Sequence, residues 1–348
     1  MKENNTAAIT AGNASAANSP PLDRKFKKSK IPFRDRFTKG KLKTFLGKAV
    51  VYALLIEITF IIIFPLLTKL SASLMSYEDM YDRTVIFIPR NPTLENIRMV
   101  LTESYFMPSF RDGFQANALL NTIWVSLLAA SLQTLVCSVT GYGLAKLRSK
   151  LAMIVFGVVV LSIMIPPQVV LVPLYLKFRF MNIFGLVQLL RGKLGLMNTL
   201  WPIIILSITG FGFKNGLYIF IMRQFYKGVP EEIEEAAAID GYGTIATYFR
   251  IVLPMARPMM ITIFMFAFSW QWTDTFYSTI FFSNEFRMLA NTIFRMQSLF
   301  SAGALTNSYN ATMLLHTGVM LAIAPLIIIY IFAQRWIVAG IERSGLVG

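Results

Sequence analysis

Between Gly113 and Ala145 the chain carries no charged residue, and between Leu151 and Leu176 it again carries none. Few folds accommodate uncharged runs of that length. A helix crossing ~30 Å of hydrocarbon needs roughly 20 apolar residues, and shorter runs suffice for the core of a water-soluble domain. Four further regions qualify. Ala49–Leu67 contains one charge, Glu57; Leu194–Met222 contains only Lys214; Pro258–Asn284 contains only Asp274; Ala311–Gln334 has His316 as its one titratable side chain. The composition agrees, at 55% hydrophobic and 15% charged residues with a mean hydropathy of +0.57, outside the soluble range. Hydrocarbon offers no hydrogen bonds to an open backbone, so these runs read as helices. They are too uniformly apolar for the alternation of a membrane barrel. The expected fold is therefore an all-α integral membrane protein with about six transmembrane helices. The expected spans are residues 49–70, 117–143, 151–173, 199–222, 257–283 and 312–334. Pro166, Pro167 and Pro173 predict that the third is kinked or broken.

Charge orients the chain. Residues 1–48 hold twelve Lys/Arg against three Asp/Glu, immediately before the first span. By the positive-inside rule this places the N-terminus in the cytoplasm. Lys146, Arg148 and Lys150 then also fall inside, as do Arg335 and Arg343, so both termini are cytoplasmic and the protein is a multi-pass cytoplasmic-membrane protein. Lys177, Arg179, Arg191 and Lys193 are the exceptions, falling on an outer loop. The net charge of +15 is accounted for by attraction to anionic lipid, and nucleic acid is not an expected partner. Residues 1–44 read as a basic, disordered leader without signal-peptide features, and 45–348 as the membrane domain. Cys137, the one cysteine, excludes disulfides and cysteine metal sites.

The informative segment is the inner loop, residues 223–256. Pro230 and Glu231, Glu232, Glu234 and Glu235 suit the positive end of a helix. Val229, Ile233, Ala236 and Ala237 repeat at helical spacing as a small-sided apolar stripe. Asp240-Gly241 ends that helix, with Gly able to turn left-handed. A second helix is expected over Thr244–Val252, with Ile245, Tyr248, Phe249 and Val252 on one side, ending at Leu253-Pro254. The result is a rigid two-helix bracket. Four glutamates disfavour its lying on anionic lipid, where interfacial helices carry Lys/Arg. A protein partner fits the charge better.

Glu235-Ala236-Ala237, then Gly241, then Ile251-Val252-Leu253-Pro254, resembles the EAA signature of permease subunits of binding-protein-dependent ABC importers. "RQFYKGVPEEIEEAAAIDGYG", "MIPPQVVLVPLYL", "GLMNTLWPIII" and "QRWIVAGIERSGLVG" resemble the sugar-uptake branch, nearest the maltose-type G subunit, over Val50–Gly348. The resemblance implies a type I importer permease whose loop docks into a cleft on an ATP-binding subunit dimer. Glu235, Ala236, Ala237, Asp240 and Gly241 would form the docking helix and its turn, with Leu253 and Pro254 closing the motif. Arg343 and Ser344 would reach the same dimer. It further implies a second permease subunit of the F-subunit type, an extracytoplasmic sugar-binding protein, and ATP and Mg held by the ATPase. No phosphate loop occurs here, since Gly40-Lys41 is followed by Leu42 and lacks the preceding glycine. The chain is thus expected to be a transport subunit, neither an enzyme nor the holder of a cofactor or metal.

Polar groups within spans are functional candidates, because burial there costs several kcal/mol. Asp274 lies among Trp270, Trp272, Phe276 and Tyr277, a set that suits a sugar and equally an aromatic belt with a structural Asp. The Trp-Asn usual in the resembling proteins is Trp272-Thr273 here. His316 reads either as a packing residue or as a ligand contact. Glu57 and Asp274 would be the coupling groups of the competing reading, an ion-driven secondary transporter. A non-sugar solute is a further alternative. An intramembrane enzyme is disfavoured by the lack of H-E-x-x-H or G-x-S-x-G.

Overall fold

The computed structural model describes residues 39–103, 106, 117–182, 185–191, 195–212, 214–282, 286–293, 295, 296 and 308–345. Most of the leader, the outer loop after Glu103 and most of residues 283–307 lie outside these, as do the side chains of Arg343 and Ser344. Among the described residues every regular element is a helix. The chain divides into two compact units, residues 1–61 and 62–348. In the first, residues 44–61 of helix α1 (Lys39–Leu74) are exposed on every face, Glu57 among them.

In the second unit, α2 (Tyr77–Tyr81) and α3 (Glu95–Glu103) follow α1, separated by the Pro89–Pro92 stretch that the prolines keep non-helical. Helix α4 (Ala118–Lys146) is the centre of the packing. Among the described residues three helices are long and apolar enough to cross a membrane alone: Thr44–Leu74, Ala118–Lys146 and Thr312–Gly340. The third expected span is two helices, α5 (Lys150–Met164) and α6 (Pro167–Arg179), bent by 104°. Pro166 and Pro167 cause the break, since each forbids the helical conformation in the residue before it; Ile165 is extended with ψ 118°. Pro173 stays inside α6.

After the short α7 (Leu186–Arg191), the fourth expected span corrects the sequence reading. It is not continuous over 199–222 but is split into α8 (Trp201–Ile208) and α9 (Asn215–Lys227). Gly210 (φ +77°) and Lys214 (φ +66°) take left-handed conformations between them. The inner loop holds α10 (Glu231–Ile239), α11 (Thr244–Thr247), a π-helical turn Tyr248–Val252, and α12 (Leu253–Met255). The fifth span, expected to run to residue 283, stops as α13 (Arg257–Trp272) and resumes as α14 (Phe276–Phe281). The last helix is α15 (Ser308–Gly345).

Helix α4 packs on α8, α9 and α13, and α13 packs on α15. Small residues permit these approaches, as membrane interfaces require. A Cβ at Gly141 would meet Met222 Cβ at 2.6 Å, and one at Gly340 would meet the Pro258 carbonyl at 3.0 Å. Tyr218, Met222, Tyr226, Met259 and Ile263 fill the core between these helices.

Candidate functional site

The inner loop is a bracket of two arms. In α10, Glu231, Glu232 and Glu234 occupy the first turn, where the helix dipole favours them. Gly241 (φ +84°) ends the arm: Tyr242 N donates to Ala237 O at 2.9 Å and Gly241 N to Ala238 O at 3.0 Å. That pair of bonds is the Schellman closure, which needs a left-handed residue at Gly241. The second arm runs Thr244–Met255 and meets α13 at 76°. It does not end at Leu253-Pro254; Pro254 sits in the first turn of α12, where its missing N–H costs nothing.

The two expected apolar stripes are each divided between two directions. Val229 (6% exposed) and Ala237 (2%) are buried within this chain, Ile233 is half-buried, and Ala236 is exposed. On the second arm Tyr248 and Val252 are buried, whereas Ile245 is 76% and Phe249 57% exposed. Ile239, at 87% exposure, and Tyr242 join them, and Glu235 and Asp240 are exposed beside them. The arms therefore bury one set of side chains in this chain's core and leave Ile239, Tyr242, Ile245 and Phe249 exposed, with the Arg250 guanidinium carbon 5.3 Å from the Tyr242 ring centroid.

The inner face is fastened to the end of α4. Lys146 Nζ lies 3.1 Å from Glu234 Oε1 and donates to Val229 O at 3.3 Å. Arg148 donates to the Glu231 carboxylate, with 2.7 Å to Oε2. This hydrogen bond, with the guanidinium charge, holds the Glu231 carboxyl below its ordinary value. Deeper in, Ser138 Oγ lies 2.6 Å from the Tyr226 hydroxyl and 2.8 Å from that of Tyr248. The Tyr142 ring packs against both tyrosines, with centroids 5.4 and 4.8 Å away. The π turn carries Tyr248 into this knot. Such turns are rare and recur at functional sites.

The residues expected along a substrate pathway are not gathered into one site. Asp274 is spent on α14: its carboxylate accepts from Phe276 N (3.0 Å), Tyr277 N (3.1 Å) and Ser278 N (2.9 Å). Asp side chains favour such helix starts because they satisfy otherwise orphaned N–H groups. Trp272 is 3% exposed and donates to Ala322 O at 3.0 Å. Tyr277 is buried and stacked on Phe281 at 5.8 Å. His316 is half-buried on α15, with Nδ1 lacking a partner among the described residues. Trp270 alone is open, at 45% exposure, with Lys214 Nζ 4.7 Å from its ring centroid. Among the described residues no three His, Cys, Asp or Glu side chains converge to hold a metal.

The model of the family "binding-protein-dependent transport system inner membrane component" matches residues 137–343, which include the whole bracket. The chain belongs to this family. Of the curated relatives, the arabinooligosaccharides transport system permease protein AraQ of Halalkalibacterium halodurans is 28% identical over 298 residues, 84% of this chain and 93% of its own. The probable starch degradation products transport system permease protein AmyC of Thermoanaerobacterium thermosulfurigenes is 27% identical, covering 86% and 94%. A solved bacterial ABC transporter involved in import of the acidic polysaccharide alginate shares the fold, with a TM-score of 0.66 at 18% identity over 86% of this chain and 98% of that one.

The protein is thus a membrane-embedded permease, a transport component that works with partner subunits. Sequence reasoning about this permease missed two groups. Of the outer face, Ile245 and Phe249 were hidden inside a stripe read as a single face, and Ile239 belonged to neither stripe. Ser138, Tyr142 and Tyr226 left no periodic signal, because they meet across elements far apart in the chain.

Proposed function

We propose that this permease is the translocation subunit of an ATP-driven importer of carbohydrate, with both termini in the cytoplasm. The substrate class is supported by its similarity to AraQ, an arabinooligosaccharide permease, and AmyC, a probable permease for starch degradation products. ATP and Mg belong to a separate ATP-binding subunit dimer, and a second permease and an extracytoplasmic binding protein complete the complex. The observation that carries the reading is the exposed apolar face of Ile239, Tyr242, Ile245 and Phe249 on a bracket fastened to α4. An apolar face of this kind on an otherwise anchored element marks a protein contact. Its carboxylate rim, Glu235 and Asp240, sets which partner surface it accepts.

In this mechanism the ATPase dimer grips the outer face as it closes. The Lys146–Glu234 pair and the Ser138–Tyr226–Tyr248 knot pass the displacement to α4 and α9. Because Ala237 faces this chain's own core, a bulky residue there disturbs the fastening, whereas one at Ala236 disturbs the docking face. Replacing Gly241 re-aims the second arm, since its positive φ excludes other residues at little cost.

The test is reconstitution with the partner subunits and measurement of sugar-stimulated ATP hydrolysis. Phe249→Glu combined with Ile245→Glu is expected to lower it about a hundredfold, as loss of an interface anchor does. Unchanged stimulation would remove the reading. Ion-coupled uptake by the chain alone would replace it, although Asp274, fully engaged in capping α14, is poorly placed for such coupling.

A further inference from the structure

Two cavities open one after the other along α6. The outer cleft, about 610 Å³, is lined by Tyr175, Arg179, Asn198 and Thr279 among apolar residues. The inner cavity, about 450 Å³, lies where the two helix breaks meet, between Ile165–Pro167 and Gly210–Lys214, and is lined also by Ser162, Asn215 and Tyr277. Each contains one exposed cation set against an aromatic ring. Arg179 donates to the Tyr175 hydroxyl with its guanidinium carbon 5.5 Å from that ring's centroid. Lys214 stands 4.7 Å from the Trp270 centroid.

The two cations differ in setting: Arg179 lies in the last turn of α6, where the helix dipole favours a cation, and Lys214 lies between α8 and α9. Arg179 falls on the outer side, against the positive-inside rule. Lys214 lies about 20 Å along α9 from Lys227 at 1.5 Å per residue, which puts it at membrane depth. A charge at that depth marks a solute path by default. Lys214 also caps α9, a 13-residue helix whose N-terminus receives no side-chain hydrogen bond. The positive end of that helix and the ammonium thus face the same cavity, an arrangement that favours an anion. Asn215, fully buried and lining the cavity, has an Oδ1 with no partner among the described residues, an acceptor suited to a sugar hydroxyl beside the carboxylate. Broken helices meeting at such a depth are where membrane transporters place their substrates.

We propose that the Arg179 cleft and the Lys214 cavity are successive stations for an acidic oligosaccharide, its carboxylates passing from one cation to the next. This names the substrate class of the carbohydrate-importer reading and rests on it. A neutral sugar needs neither cation; a uronate chain uses both, with Tyr175 in the cleft and Tyr277 in the cavity to meet its C–H faces.

The experiment uses the complete complex in proteoliposomes with its binding protein. Uptake is compared for galacturonate, glucuronate and mannuronate oligosaccharides and for neutral gluco-, arabino- and manno-oligosaccharides. One or more uronates are expected to be carried. For a carried uronate, Lys214→Gln and Arg179→Gln should each reduce uptake about tenfold or more, the size of one lost charge-assisted hydrogen bond. Lys214→Arg should retain most of it. Uptake of neutral sugars alone, or a uronate uptake untouched by both Gln variants, overturns the proposal and leaves the importer reading standing. Loss of the second permease from the purified Lys214→Gln complex also overturns it, because the cation would then be an interface charge. A complex that carries no sugar but another solute overturns the carbohydrate reading itself.

Discussion

Two stretches of the seam between α4 and α9 handle buried polar groups in opposite ways. At the end next to the bracket, Ser138 Oγ lies 2.6 Å from the Tyr226 hydroxyl and 2.8 Å from that of Tyr248. Further along the same helices, Thr134 Oγ1, Asn215 Oδ1 and Tyr218 OH are buried with no partner among the described residues. A stranded polar group costs about 1–3 kcal/mol, so a chain that leaves three in one seam gives up stability there. The satisfied end behaves as a fixed joint, suited to passing on a displacement. The other end carries fewer such joints, and on the proposed function it is the stretch that would offer its polar groups to a solute.

The contrast can be broken at its hinge. Gly141→Leu, which forces side chain into Met222 across the seam, should cost about 3 kcal/mol or more by overpacking. Thermal unfolding of the purified complex would show it as the largest loss. Next, Ser138→Ala should cost about 1–3 kcal/mol by stranding the Tyr226 and Tyr248 hydroxyls. Adding Tyr226→Phe and Tyr248→Phe should recover most of that loss, since no unpaired partner remains. Thr134→Val sharpens the comparison from the other side. Removing a hydroxyl that has no protein partner should leave stability unchanged or raise it by up to about 1 kcal/mol, the opposite sign. The smallest effect belongs to the exposed Arg148–Glu231 clamp, a pair of a kind worth little at a surface. Glu231 titrates lower in the folded chain than its ordinary 4.5, so its contribution is present above that pH and fades as pH falls through the lower folded value. Glu231→Gln should abolish that acid-range component in a melting-against-pH series.

How much of this was legible in the sequence depended on what hydropathy reports. It locates apolar runs, so α4 and α15 were visible, and the Pro166-Pro167 break was readable from the chemistry of the imide. It does not see backbone conformation. Gly210, Phe211 and Gly212 lie in a run that reads as one span, yet the chain turns left-handed there. Asp274 read equally as a sugar contact and as a structural Asp among belt aromatics; its carboxylate starts α14. The bracket was readable as two helices with a glycine stop, but an apolar stripe records burial without naming what does the burying. Tyr248 and Val252 answer to this chain's core, Ile245 and Phe249 to something else.

That something else can be approached through cysteine chemistry. The chain's one cysteine, Cys137, is buried, so Ile245→Cys supplies a single accessible thiol on the outer face. In membranes holding the complete complex, a maleimide should fail to label it, and stripping the ATP-binding subunit should restore full labelling. Equal labelling with and without that subunit would show the bracket bare in the working transporter and contradict the account.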